Sequence, residues 1–217
     1  MDNYAVFEAF SDYERIRGRL LCRLLNGQNA ETRYGDMPSR PWMDLRLCCY
    51  CDLTEEGMPD ASLTVRDYML PIWHVDAETV LADAWENTES KKEVLFCRLD
   101  RYLRRLCKEA GMTGPAPFPD GPPLYILSNT ERIYGAVHMA FPDVLRRIGE
   151  QLERDFYILP SSIHECLILP YSDMICEDEL NDMVSVINFE QVAGQDILAD
   201  HVYFYERSKE RVRMCLS

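Results

Sequence analysis

Two apolar runs, Phe156-Tyr157-Ile158-Leu159 and Cys166-Leu167-Ile168-Leu169, are separated only by Pro160-Ser161-Ser162-Ile163-His164-Glu165. Runs this short, bounded by proline, read as buried strands, and the six residues between them leave room for a tight connection and nothing else. The chain must therefore build a sheet. It must also find partners for hydroxyls, an imidazole and a carboxylate placed between two apolar segments, either in chemistry or in the hydrogen bonding of the turn.

The rest of the chain supplies elements around that pair. From Tyr4 to Leu25, Phe7, Phe10, Ile16, Leu20, Leu21 and Leu24 recur at near-helical spacing, and Asn26-Gly27 suits a helix C-terminus. Gln28 to Arg40 reads as a loop. Met43–Leu53 and Ala61–Leu70 read as two strands of a hairpin with a polar loop between them. Asp76 precedes a helix expected to end near Trp85, with Asn87 and Thr88 closing it, and a second helix is expected from Lys91 to Ala110. Strands are expected at Leu124–Ser128 and Ala136–Phe141, and Pro142 opens a helix that buries Leu145, Ile148 and Leu152. A last helix, Asp178–Asn188, is expected to bury Leu180, Met183, Val184 and Ile187. His201–Leu216 reads as a hairpin turning at Ser208-Lys209.

Strands and helices alternate without a regular βαβ rhythm and without a glycine fingerprint for nucleotides. That order predicts an α+β fold with a largely antiparallel sheet packed with several amphipathic helices. The chain of 217 residues reads as one domain, 1–217, with a subdivision at the Pro/Gly-rich connection 114–123.

A formal charge of −14 argues against direct nucleic-acid binding, which rests on clustered Lys and Arg. It leaves open an acidic protein that mimics nucleic acid in the groove of a basic one. No apolar stretch reaches the length of a membrane span and the start lacks a signal peptide, so a cytoplasmic location is expected. Nine cysteines without an export signal read as reduced thiols, most of them small core residues.

Several segments together resemble one family. They are Asp12-Tyr13-Glu14-Arg15-Ile16, Arg23-Leu24-Leu25-Asn26, Pro38-Ser39-Arg40, Met43-Asp44-Leu45 and Ala84-Trp85-Glu86-Asn87-Thr88. The frame closes with Tyr125-Ile126-Leu127-Ser128-Asn129, Tyr134-Gly135-Ala136, Ile158 to Glu165, and Asp200-His201-Val202-Tyr203-Phe204-Tyr205. The chain resembles a domain-of-unknown-function family of gut clostridial bacteria over nearly its whole length. Members often extend further at the N-terminus, which makes this chain a short member or one that lacks an N-terminal region. The resemblance implies kinship and brings no activity. In this chain Cys48-Cys49-Tyr50-Cys51 stands where the family has an apolar strand.

Four candidate sites emerge. Ser161, Ser162, His164 and Glu165 contain the residue types of a hydrolytic site, in which His164 would activate Ser162 or a cysteine. In an extended segment Ser162 and His164 share one face and Ser161 and Glu165 the other, so a triad needs a partner from elsewhere, such as Asp200 or His201. The competing readings are a turn whose hydroxyls bond local backbone, and a binding surface. Arg98, Arg101, Arg105 and Lys108 fall along one face of the helix expected there, either as a solvated face or as a dock for an acidic partner. Cys48 and Cys51 form a lone CxxC, which on a strand splits across two faces and suits packing better than metal or redox chemistry. Glu177, Asp178, Glu179 and Asp182 sit where a helix N-terminus favours negative charge. No cofactor and no metal are expected. The leading expectation is a non-enzymatic binding or regulatory protein with a protein partner or small ligand, ahead of the hydrolase and the nucleic-acid mimic.

Overall fold

The computed structural model describes residues 10–28, 35–54, 61–112 and 122–216. Contacts divide the chain into two units, Met1–Glu93 and Val94–Ser217. The Pro/Gly-rich stretch falls within the second unit, and its residues 114–121 lie outside the described residues, as do 4–9, residues 29–34 of the expected loop 28–40, and the hairpin loop 55–60.

The first unit is built on strands β1 (Leu20–Asn26), β2 (Ser39–Trp42), β3 (Leu45–Asp52) and β4 (Ser62–Thr64). β3 is central and pairs antiparallel with β1 along its whole length, while β2 and β4 share its other side. The hairpin of β3 and β4 follows the expected pairing, but residues beyond Thr64 turn helical, with α2 at Leu70–Trp73. Ser39 and Arg40, expected in a loop, lie on β2, which joins β3 through Met43-Asp44 with Met43 at φ 53.

Of the helix expected across Tyr4–Leu25, the described residues show helical backbone at Phe10 and Ser11 and in α1 (Tyr13–Ile16); Arg17–Arg19 then form a 3-10 turn, and β1 follows. The physical reason is burial on both sides. Leu20, Leu21, Cys22, Arg23, Leu24 and Leu25 are all buried, and a short run that is apolar on both faces carries no periodicity to separate strand from helix.

Helix α3 (Ala77–Lys91) is capped by the Asp76 carboxylate, which accepts from Thr79 N at 2.8 Å. It does not stop at Asn87-Thr88. Thr88 is buried and donates to Ala84 O at 2.7 Å within the helix, while its hydroxyl accepts from Cys22 N at 2.7 Å. Asn87 donates to Arg17 O and Leu20 O. These two polar residues tie the helix to β1 instead of ending it.

The second unit is a six-stranded antiparallel sheet in the order β10-β9-β7-β8-β6-β5. Its strands are β5 (Val94–Arg98), β6 (Tyr125–Asn129), β7 (Phe156–Pro160), β8 (Cys166–Pro170), β9 (Tyr203–Glu206) and β10 (Arg211–Met214). β9 and β10 form the expected closing hairpin. The expected Lys91–Ala110 helix resolves into strand β5 followed by α4 (Leu99–Glu109), so Leu95 and Arg98 are strand residues.

Alternation along β7 and β9 sends Tyr157 and Phe204 to one face and Phe156 and Tyr205 to the other. On the first face Tyr157, Leu159, Leu169 and Phe204 pack with Leu180 and Val184 of α6 (Glu177–Gln191). On the second, α5 (Pro142–Leu152) brings Gly149 so close to Tyr205 that an added Cβ would stand 3.2 Å from its ring.

Two expectations fail here for identifiable reasons. Gly135–Ala140 is a 3-10 segment, not a strand. A Cβ at Gly135 would lie 2.3 Å from Ser128 Oγ and 2.7 Å from His164 O, so this backbone is pressed into the end of the sheet instead of pairing with it. The inner stripe of α6 is Leu180, Asn181, Val184 and Asn188, leaving Met183 and Ile187 outside. Asn181 takes an inner position because it accepts from Val202 N and donates to Cys215 O, both at buried sites, and Asn188 donates to Ala199 O. Among the described residues no helix is long and apolar enough to cross a membrane.

Candidate functional site

The connection between β7 and β8 is a turn closed from within and anchored from outside. Ser162 N donates to Glu165 O at 3.1 Å, and Ser162 Oγ accepts from His164 N at 3.1 Å. Ile163 is buried and donates to Asp196 O at 2.9 Å. Because the chain bends here, the extended alternation that separates Ser162 from Ser161 does not apply.

His164 is held from the neighbouring strand end. Its carbonyl accepts from Ser128 Oγ at 2.8 Å, and its Nδ1 accepts from Tyr134 N at 3.1 Å. The Tyr134 ring stacks on the imidazole with centroids 5.5 Å apart and planes 15° from parallel. Tyr134 reaches this position with φ 53, braced by Asn129, whose side chain donates to Ile133 O and accepts from Ile133 N. An Nδ1 that accepts carries no proton, which puts the ring hydrogen on Nε2.

The structure thus joins the motif to Ser128, Asn129 and Tyr134, and leaves the His164 imidazole without a hydrogen bond to a hydroxyl or a carboxylate among the described residues. Asp200 accepts from Asn188 Nδ2 at 2.9 Å instead. Ser161, together with Leu159, Pro160, Leu167, Val184 and Ile187, lines a shallow apolar groove beside α6.

The arginine stripe is broken. Arg98 ends β5 and pairs with Asp100 at 2.9 Å, while Arg101 and Arg105 are exposed on α4, with Arg105 facing Glu109 at 3.7 Å. Cys48 and Cys51 are buried on β3, opposite Arg23 and Leu20 of β1. Burial pushes the Cys48 thiol up to about 11 and the Cys22 thiol up to about 12. These are packed, protonated thiols. Among the described residues no three His, Cys, Asp or Glu side chains gather as metal ligands.

Two features escaped the sequence reading. The outward face of α6 exposes Met183, Val186, Ile187 and Phe189, the last at 91%. The signal was present as more apolar residues than one buried stripe needs. The second is an open cleft of about 520 Å³ around Tyr171, Tyr205 and Arg207, assembled from three separate segments with no shared motif.

Acids elsewhere are interspersed with bases, as in Arg17 with Glu14 and Asp83, Arg146 with Asp143, and Lys209 with Glu206. That mixing is the opposite of a single-sign, phosphate-spaced face. A family model for a family of unknown function, DUF5688, matches residues 2–207. The chain belongs to that family. No curated protein and no solved structure matches it. Membership in DUF5688 makes the α+β architecture described above that of a domain of unknown function.

Proposed function

We propose that the chain is a binding protein whose helix α6 receives a basic amphipathic segment of a protein partner. The observation that carries this is the composition of the outward face of α6. Met183, Val186 and Ile187 are 49%, 55% and 40% exposed, and Phe189 is almost fully so. Glu179, Asp182 and Glu190 lie on the same arc, and the helix contains no Lys or Arg. Apolar side chains bordered by uncompensated carboxylates complement a helix with an apolar stripe bordered by Lys or Arg. The apolar groove at Ser161 continues this surface through Ile187, so the β7–β8 connection shapes its edge. With this reading we propose a cytoplasmic, non-enzymatic protein.

The hydrolase reading has less behind it. Ser162 Oγ accepts a backbone N–H and the Nδ1 of His164 accepts another, so neither side chain is aimed at the other as nucleophile and base.

Calorimetric titration with two designed amphipathic peptides tests the proposal, one bordered by lysine and one by glutamate. The lysine peptide binds, more weakly as salt rises, and the glutamate peptide does not. The double variant Met183→Asp, Phe189→Asp loses that binding by at least about tenfold without a lower melting temperature, since both side chains are exposed. Equal binding of both peptides, or full binding by the double variant, removes the proposal.

A further inference from the structure

The cleft at the other end of β7 from the Ser161 motif has a built floor. Tyr205 is 1% exposed, and its hydroxyl has no hydrogen-bond partner among the described residues, although the cleft opens beside it. Burial, together with the Glu210 and Glu150 carboxylates, raises the pKa of this phenol, so it stands as a protonated donor without an acceptor. Gly149 packs directly on this floor: a Cβ there would press on the Tyr205 ring at 3.2 Å and meet Arg207 Cγ at an ordinary contact distance of 3.5 Å.

The charged groups around the floor divide into occupied and unoccupied. Arg146 is paired with Asp143 at 2.7 Å, and the Asp155 carboxylate accepts from Arg207 N at 2.8 Å. The guanidinium groups of Arg154 and Arg207 have no ion pair among the described residues, and neither do the carboxylates of Glu150, Glu153 and Glu210. Two cations and three anions, each left to solvent, share one cleft whose volume of about 520 Å³ falls in the range of small-molecule sites. A simple anion would face the carboxylates, and a simple cation the guanidiniums. A ligand with one group of each sign satisfies both sets.

We propose that this cleft binds a small zwitterion of amino-acid or dipeptide size, its carboxylate on Arg207, Arg154 and the Tyr205 hydroxyl, and its ammonium on Glu150 and Glu210. The site is independent of the α6 surface. Titration of the full chain with the L-amino acids and with glycyl dipeptides, each singly at millimolar concentration and followed by calorimetry, tests it, with N-acetylated and C-amidated forms of the best binder as controls. At least one zwitterion binds, and removing either charge weakens it by about tenfold or more. Arg207→Gln and Arg154→Gln, both at exposed positions, weaken binding by a similar factor, and Tyr205→Phe weakens it several-fold while the melting temperature does not fall. No binding by any member of the panel overturns the proposal. So does equally tight binding of inorganic phosphate, of a neutral monosaccharide or of the acetylated form, or full affinity in Arg207→Gln.

Discussion

The backbone N–H of Tyr134 donates to Nδ1 of His164 at 3.1 Å while the two rings stack 5.5 Å apart. This contact closes a corner between the β7–β8 turn and the segment after β6, because the His164 carbonyl also accepts from Ser128. His164→Phe keeps a ring for stacking and removes the acceptor. It should destabilise the second unit by about 1–2 kcal/mol, the cost of depriving a partly buried donor of its partner. Hydrogen exchange is the direct measurement: faster exchange at Tyr134 in the variant is expected, and unchanged protection would remove the structural role given to this imidazole.

In the first unit Thr88 has the corresponding part. Thr88→Val preserves shape and deletes a hydroxyl that accepts from Cys22 N and donates to Ala84 O. The Cys22 N–H is buried, so its loss of a partner should cost about 1–3 kcal/mol. All three tryptophans, Trp42, Trp73 and Trp85, lie in this unit, so urea unfolding followed by tryptophan fluorescence reports it selectively. A midpoint equal to that of the parent chain would contradict the role of Thr88 as a link between α3 and β1.

Thr88 also shows where sequence reading reached its limit. β7 and β8 are legible because each is a short apolar run bounded by proline, and α5 and the β9–β10 hairpin because a helical period after Pro142 and a turn signal mark them. β1 is not, since a run buried on both faces has the same apolar residues as a helix. Thr88 and Asn87 have the local look of helix punctuation and Asn181 that of a surface residue, yet each satisfies backbone groups distant in the chain, a relationship that no local pattern carries. The motif around His164 was found at the right place, but its partners Ser128 and Tyr134 came from the fold, as did the cleft around Tyr205.

The cysteines separate into accessible and inaccessible groups. Cys176 is exposed, while Cys22, Cys48, Cys49 and Cys166 are buried, and burial pushes all four of these thiols up. A thiol-specific reagent at neutral pH should modify Cys176 first and leave those four intact until the chain unfolds. Mass spectrometry of the labelled native protein reads the order. Early labelling at Cys48 would reopen the CxxC as a reactive pair.

His138 gives the chain a pH dependence of predictable sign. It is 1% exposed, neither ring nitrogen has a hydrogen-bond partner among the described residues, and it stands 5.7 Å from the Phe141 ring. Burial, with a smaller contribution from the Arg147 charge, pushes the imidazole down from 6.5 to about 4. The folded state therefore refuses a proton that the unfolded state accepts. Stability from this group is complete above pH 6.5 and declines as pH falls towards 4, at about 1.4 kcal/mol per pH unit and about 3 kcal/mol in all. The carboxylates held low, such as Glu177 beside Arg213 and Asp52 beside Thr54 and Lys92, add their own loss only nearer the ordinary carboxylate range. Between pH 6.5 and 4.5 the slope should belong mainly to His138. Urea unfolding of the parent chain and of His138→Leu at pH 7, 6, 5 and 4.5 measures it. The variant should be the more stable of the two at pH 5 and nearly flat over the window, and parallel profiles would show that the slope comes from elsewhere.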